Sequence, residues 1–247
     1  MDLGIAGKAA AVAGASAGLG RATAHALAIE GVRVAICGRD RERVERAAAE
    51  LPGDVVPIVA DLATPDGATA FVEAAAAALG QVDILVPNAG GPPPSTFSST
   101  PLEAYPTAID LNLMSTVAMC IAAVPAMRER GWGRVVAITS VSVRQPIPNL
   151  ILSNTARAGV TGFLKTLALE VAADGVTVNS VQPGLHATDR MLALGASPDD
   201  LARDIPTRRV GDPDDFGAVC AFLCSEHARF VTGAAIPVDG GASRGLQ

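Results

Sequence analysis

Short apolar runs alternate with longer helical patterns along the whole chain, and this alternation restricts the fold more than any other feature. Strand-like runs fall at 9–13, 32–37, 55–60, 84–87, 135–139 and 176–181. Helical patterns lie among them at 19–30, 41–51, 66–79, 108–130 and 155–173. The strand runs are apolar almost throughout rather than alternating with polar residues, as burial on both faces requires. Repeated strand–helix–strand units predict an α/β fold, a doubly wound parallel sheet of about seven strands. No low-complexity linker or internal repeat interrupts 1–247, and Gly90-Gly91-Pro92-Pro93-Pro94-Ser95 is too short to separate domains, so one domain is expected. Ligands on such sheets bind beyond the carboxyl ends of the strands, where the strand order reverses.

With 49% hydrophobic and 18% charged residues, the 247-residue chain can bury a sizeable core. No uninterrupted apolar stretch reaches the roughly 20 residues of a membrane span, so none is expected. The first residues, Met-Asp-Leu-Gly-Ile-Ala-Gly-Lys, lack a basic patch followed by an apolar run. A cytoplasmic protein without a signal peptide is therefore expected. A net charge of −6 with no basic block argues against nucleic acid as a partner. Cys37, Cys120, Cys220 and Cys224 form no Cys-x-x-Cys pair, and Cys220 and Cys224 sit in an apolar helical pattern that suits buried free thiols. His25, His186 and His227 lie far apart, so no metal site is expected.

After the first strand run comes Gly14-Ala15-Ser16-Ala17-Gly18-Leu19-Gly20, opening a helix. Glycines there permit a tight turn, close approach of backbone to a pyrophosphate, and tight packing of helix on strand. This loop makes the expected fold a Rossmann-type domain, although a glycine-rich turn with no ligand has the same local pattern.

Further anchors follow in order. They are Asp61, Asn88-Ala89-Gly90, Asn112, Gly133-Arg134-Val135-Val136 leading to Ser140, Val178-Asn179 and Pro183-Gly184 with Thr188. Arg209-x-Gly211-x-Pro213 and Val238-Asp239-Gly240-Gly241 complete the series. Together with the glycine loop they resemble the short-chain dehydrogenase/reductase family, and within it the 3-oxoacyl-carrier-protein reductase type. The resemblance implies that Gly14, Ser16, Gly18, Leu19 and Gly20 hold a pyrophosphate. It places Asp61 and Leu62 at adenine, Asn88, Ala89 and Gly90 at ribose, and Pro183, Gly184 and Thr188 at the nicotinamide end.

The second strand run ends Ala35-Ile36-Cys37-Gly38-Arg39, without the carboxylate that would bond both ribose hydroxyls. Arg39 can pair with a phosphate as a planar fork, which favours NADP over NAD. Asp40 and the uncharged Ala17 stand against that preference.

The family resemblance implies a catalytic set of Asn, Ser, Tyr and Lys, with the last two four residues apart on one helix. Tyr protonates the carbonyl oxygen as hydride arrives, Lys assists it and holds the ribose, Ser bonds the carbonyl, and Asn positions a water. Asn112 and Ser140 match. Tyr105 is the only tyrosine, position 109 is Ile, and the only lysines are Lys8 and Lys165. Aligned through Ser153-Asn154-Thr155-Ala156-Arg157, Ser153 takes the Tyr position and Arg157 the Lys position. Arginine keeps the charge and can bond ribose hydroxyls, but it stays protonated and cannot shuttle a proton. His186, on the loop after the sixth strand run, is a candidate substitute acid, or simply an exposed loop histidine. Arg144 rims the expected pocket and could meet an anionic substrate, or be a solvated surface arginine.

Three functions fit these residues. The first is an NAD(P)(H)-dependent oxidoreductase reducing a carbonyl or oxidising an alcohol, with His186, Ser153 or water as proton donor. The second is a non-redox dehydratase or isomerase using Ser140, Ser153 and His186. The third is a catalytically inactive cofactor-binding partner. Residues 92–96, 141–152 and 185–204 should line the pocket, and their proline and aliphatic content suits a mostly apolar small molecule. Apolar patterns at Phe163, Leu164, Leu167 and Leu169, and at Phe216, Val219, Phe222 and Leu223, would serve a core or an interface. The resemblance implies a homotetramer or homodimer.

Overall fold

The computed structural model describes residues 1–192 and 197–245. Its first half runs β1 (Ala9–Val12), α1 (Gly18–Ile29), β2 (Arg33–Gly38), α2 (Arg41–Glu50), β3 (Val55–Val59), α3 (Pro65–Leu79) and β4 (Ile84–Val86). Then follow α4 (Ala104–Ile109), α5 (Ser115–Glu129), β5 (Gly133–Ile138), α6 (Ile151–Val171) and β6 (Val176–Pro183). The short α7 (Asp189–Leu192) and α8 (Pro198–Ala202), then α9 (Pro213–Cys224) and β7 (Ala235–Val238), complete the order. The strands form one sheet in the order β3-β2-β1-β4-β5-β6-β7, every pair parallel. The order reverses between β1 and β4, so a crevice opens at their carboxyl ends.

Helices cover both faces. Ala9 and Ala11 of β1 point into a core shared with Phe71 of α3, Met119 of α5 and Leu164 of α6. Ala10 and Val12 point into the opposite core with Leu27 of α1, Val44 of α2 and Phe216 of α9. This two-sided burial explains why the strand runs read as continuously apolar. The four cysteines are free and buried.

Several boundaries differ from the sequence expectation. The seventh strand, β7, is too short and too interrupted by Pro237 to stand out, and pairing with β6 makes it. The helix expected at 155–173 begins at Ile151. The helix expected at 108–130 begins at Ala104 and passes through a π-helical turn at Asp110–Met114. The resulting run, Ala104–Glu129, is long and apolar enough to cross a membrane by length and composition, which corrects the expectation that no segment qualifies. Its polar residues Asp110 and Asn112 fall in that π turn. Ala118, Met119, Ala123, Val124 and Met127 of this run are buried in the core beneath the sheet.

Candidate active site

Gly14 and Gly18 adopt φ of +56° and +58°, conformations open to glycine at little cost. A Cβ on Gly20 would lie 2.6 Å from the Gly14 carbonyl and 2.8 Å from Asn88 Nδ2, so only glycine lets α1 pack this closely. Ala17 stands at the N-cap of α1 and supplies no side-chain cap, which leaves the first amides open to an anion at the mouth of the crevice. Ser16 abuts the end of β2, its Oγ 3.0 Å from where a Cβ on Gly38 would stand. Arg39 is exposed just beyond. Asp61 is exposed after β3, with its Oδ1 accepting the Ala63 amide at 3.0 Å, and Leu62 beside it is buried. These features fit a dinucleotide.

Residues 88–90 connect this loop to a polar cluster. Asn88 Nδ2 donates to the carbonyls of Ala13 and Gly14 at 3.1 and 3.2 Å. The Ala89 carbonyl accepts from Arg157 Nη2 at 3.3 Å, and the Gly90 carbonyl accepts from Asn112 Nδ2 at 2.8 Å. Asn112 lies in the π turn, and its Oδ1 is buried without a protein partner. Arg157 also donates from Nη1 to the carbonyls of Ile138 and Thr139, and from Nε to Ser153 Oγ at 3.2 Å. Ser153 is buried in the first turn of α6. Ser140 follows Thr139, and its Oγ accepts the Ser142 amide at 3.1 Å. Asn112, Ser153 and Arg157 are thus joined through the ends of β4 and β5, with Ser140 next in chain to an Arg157 acceptor. Sequence reasoning assigned Arg157 to ribose hydroxyls; it missed that the guanidinium is a brace between α6 and two strand ends. No local signal reveals such a bond.

The loop after β6 closes from the other side. Gly184 N bonds the Val238 carbonyl, and a Cβ there would strike Asp239. Thr188 Cγ2 stands 3.7 Å from where a Cβ on Gly18 would be, bringing this loop against the glycine loop. Pro183 ends β6. His186 makes its hydrogen bond within its own loop. It is buried, corrected from an exposed loop residue, with its ring edge-on to Phe216 at 5.1 Å and Nδ1 3.2 Å from the Gly184 carbonyl. A Cβ on Gly211 would lie 2.8 Å from Nε2. Burial lowers its pKa, opposed by the Gly184 carbonyl and by Asp212 and Asp215, so burial disfavours the imidazolium an acid needs.

Arg144 is half-buried and bonded within the fold: Nε donates to Gln182 Oε1 at 2.5 Å and Nη2 to the Ala235 carbonyl. Two of the expected pocket walls do meet, since Ser95 N bonds the Asn149 carbonyl at 2.8 Å and Ser95 bridges Leu150. Of the third wall, 193–196 lie outside the described residues. A separate cleft of about 480 Å³ opens between Ser16, Ala17 and Gly18, the arginines Arg43 and Arg46 of α2, and Asp189, Asp212 and Asp214. No group of three His, Cys, Asp or Glu among the described residues is placed to hold a metal.

A parallel sheet with a glycine loop at its switch point and a polar cluster beside it defines a dinucleotide-binding α/β scaffold. Residues 14–243 match the family described as enoyl-(acyl carrier protein) reductase. Acetoacetyl-CoA reductase of Cupriavidus necator is 35% identical over 239 residues, spanning 95% of this chain and 97% of that protein. The 3-oxoacyl-[acyl-carrier-protein] reductase of Synechocystis is 36% identical over 238 residues, spanning 94% and 95%. L-sorbose reductase from Gluconobacter frateurii, solved with NADPH and L-sorbose, superposes with a TM-score of 0.93 at 33% identity over 100% of both chains. The chain belongs to the short-chain dehydrogenase/reductase family.

Proposed function

We propose that the protein is an NADP(H)-dependent oxidoreductase that reduces a small, mostly apolar carbonyl compound or oxidises the matching alcohol, with 3-oxoacyl thioesters as the first class to test. Ser153 and Arg157 stand where the family resemblance expects Tyr and Lys. One observation carries this reading: residues 88–90 tie the glycine loop, through Asn88, to the cluster of Asn112, Arg157 and Ser153. A cofactor held at the loop is thereby set beside polar groups able to handle a substrate oxygen. The relatives named above, two of them reductases of 3-oxoacyl or acetoacetyl thioesters and one solved with NADPH, support it.

The bound nicotinamide would supply or accept the hydride. Ser140 Oγ already accepts the Ser142 amide, so its own proton is available to a substrate oxygen. Ser153 Oγ accepts Arg157 Nε–H, which likewise directs the serine proton outward and stabilises negative charge left on that oxygen. Arg157 holds its proton throughout. Asn112 Oδ1 offers an acceptor for a water that can restore the proton. The non-redox alternative would need His186 as its acid, and the edge-on packing of that ring on Phe216 favours the oxidoreductase reading. Association into a homodimer or homotetramer rests on the family resemblance.

The test is NADPH oxidation, followed by absorbance, against acetoacetyl-CoA, longer 3-oxoacyl thioesters and a panel of ketones and ketoses. Turnover of one class is expected. Bound NADPH with no turnover across the panel would sink the oxidoreductase reading and leave a cofactor-binding partner.

A further inference from the structure

The loop after β6 borders two cavities. Ala187, Thr188 and Asp189 line the glycine-loop cleft described above, whereas Leu185 and His186 line a smaller cavity of about 200 Å³. Asp212 borders both. The charged side chains of the smaller cavity are Arg209, Asp212, Asp215 of α9 and Asp239 after β7, and Val219 and Val238 add an apolar wall.

His186 is 5% exposed. Its Nδ1 stands 3.2 Å from the Gly184 carbonyl, which can only accept, so Nδ1 carries the ring proton. Nε2 of the neutral imidazole is then an acceptor, and among the described residues no hydrogen bond reaches it. Burial keeps the ring neutral by lowering its pKa, against the Gly184 carbonyl and the charges of Asp212 and Asp215. An acceptor buried without a partner is costly, and a donor entering the cavity offsets that cost.

The charges specify the kind of donor. Asp212 Oδ1 accepts the Asp214 amide, and the two oxygens of Asp239 accept the amides of Gly241 and Ser243. Such bonds favour the ionised carboxylate and leave its charge in place. Among the described residues neither Arg209 nor any of the three aspartates forms an ion pair. Three carboxylates against one guanidinium leave the wall two charges negative. A metal ion is a poor fit, since no three His, Cys, Asp or Glu among the described residues are placed to hold one. A cation with N–H donors and a short apolar body meets the acceptor, the charge and the valines together.

We propose that this cavity binds the primary ammonium group of a small alkylamine. One N–H is donated to His186 Nε2, the charge faces Asp212 and Asp215, and the carbon chain lies against Val219 and Val238. The site needs neither nucleotide nor turnover, so it stands apart from the oxidoreductase reading.

The experiment is calorimetric titration of the full chain at neutral pH and constant ionic strength with three probes. n-Butylammonium has charge and donors, n-butanol has a donor without charge, and tetramethylammonium has charge without a donor. n-Butylammonium is expected to bind about tenfold more tightly than either, the scale of one hydrogen bond to a charged group. His186→Leu and Asp215→Asn, checked for folding by circular dichroism, should each weaken it about tenfold. Asp215 is exposed, so its variant serves even where His186→Leu does not fold. Equal affinity for butanol overturns the role of charge, and equal affinity for tetramethylammonium overturns the donor to His186. Binding unchanged in both folded variants overturns the assignment to this cavity. No binding of n-butylammonium leaves water as the only occupant and overturns the proposal.

Discussion

Arg157 Nε donates to Ser153 Oγ across 3.2 Å, one helical turn apart on α6, while the rest of the same guanidinium reaches the carbonyls of Ala89, Ile138 and Thr139. A planar fork with five donors can do this; an ammonium cannot span the same acceptors. The pair therefore joins the Ser153 hydroxyl to the ends of β4 and β5.

Replacing Arg157 with Met should cost about 2–3 kcal/mol of stability, because partly buried carbonyls lose a charged donor. Arg157→Lys should recover less than half of that. Urea denaturation of the two variants checks the difference, and equal stability of wild type and Arg157→Met would remove the brace.

Ser153→Ala should lower kcat about a hundredfold, the lower end of general acid catalysis, with NADPH affinity unchanged. Steady-state kinetics on the best substrate, with nucleotide titration alongside, separate the two. A change in KM alone would make Ser153 a binding residue rather than a donor.

Gly20→Ala should weaken NADPH about five- to hundredfold. Its Cβ would stand 2.6 Å from the Gly14 carbonyl, so the loop must move, and overpacking of this kind costs about 1–3 kcal/mol. Fluorescence titration measures the loss, and unchanged affinity would show that the loop does not hold nucleotide.

Burial depresses the His186 pKa, so the unfolded chain binds its proton at a higher pH than the folded one. Between the folded pKa and about 6.5 the unfolded state holds more protons, and stability falls as pH falls through that window. His186→Gln should flatten this dependence. Melting temperatures of both proteins from neutral to mildly acidic pH provide the comparison; parallel curves would mean His186 does not contribute.

Burial pushes the Cys37, Cys120 and Cys220 thiols up to about 12, and raises Cys224 as well. A thiol-disulfide reagent at mildly alkaline pH should label none of the four in the native protein and all four in denaturant. Rapid native labelling of any one would contradict its burial.

The glycine loop and the strand runs were legible because each depends on local backbone need or local periodicity, whereas the anchors from Asp61 to Thr188 came from the family resemblance. Gly14 and Gly18 take the positive φ that a tight strand-to-helix turn needs. The π turn at Asn112 and the early start of α6 were not legible. Residues 110–114 carry no distinctive composition, and Ile151 joins the helix where Ser95 and Leu150 bridge. His186 shows the same limit, since nothing within its loop indicates Phe216, thirty residues on, as the surface it packs against.

By itself the sequence determined the α/β class, the parallel sheet and the glycine loop that opens the first helix. Tertiary structure alone decided that Arg157 braces two strand ends, that Arg144 is turned to Gln182, that Asp40 caps α2, and that Arg43 and Arg46 face the glycine loop. The division has a physical cause. Helix and strand preferences are set by neighbours a few residues away, whereas the acceptors of a guanidinium are chosen by which distant carbonyls the packed sheet brings within its reach.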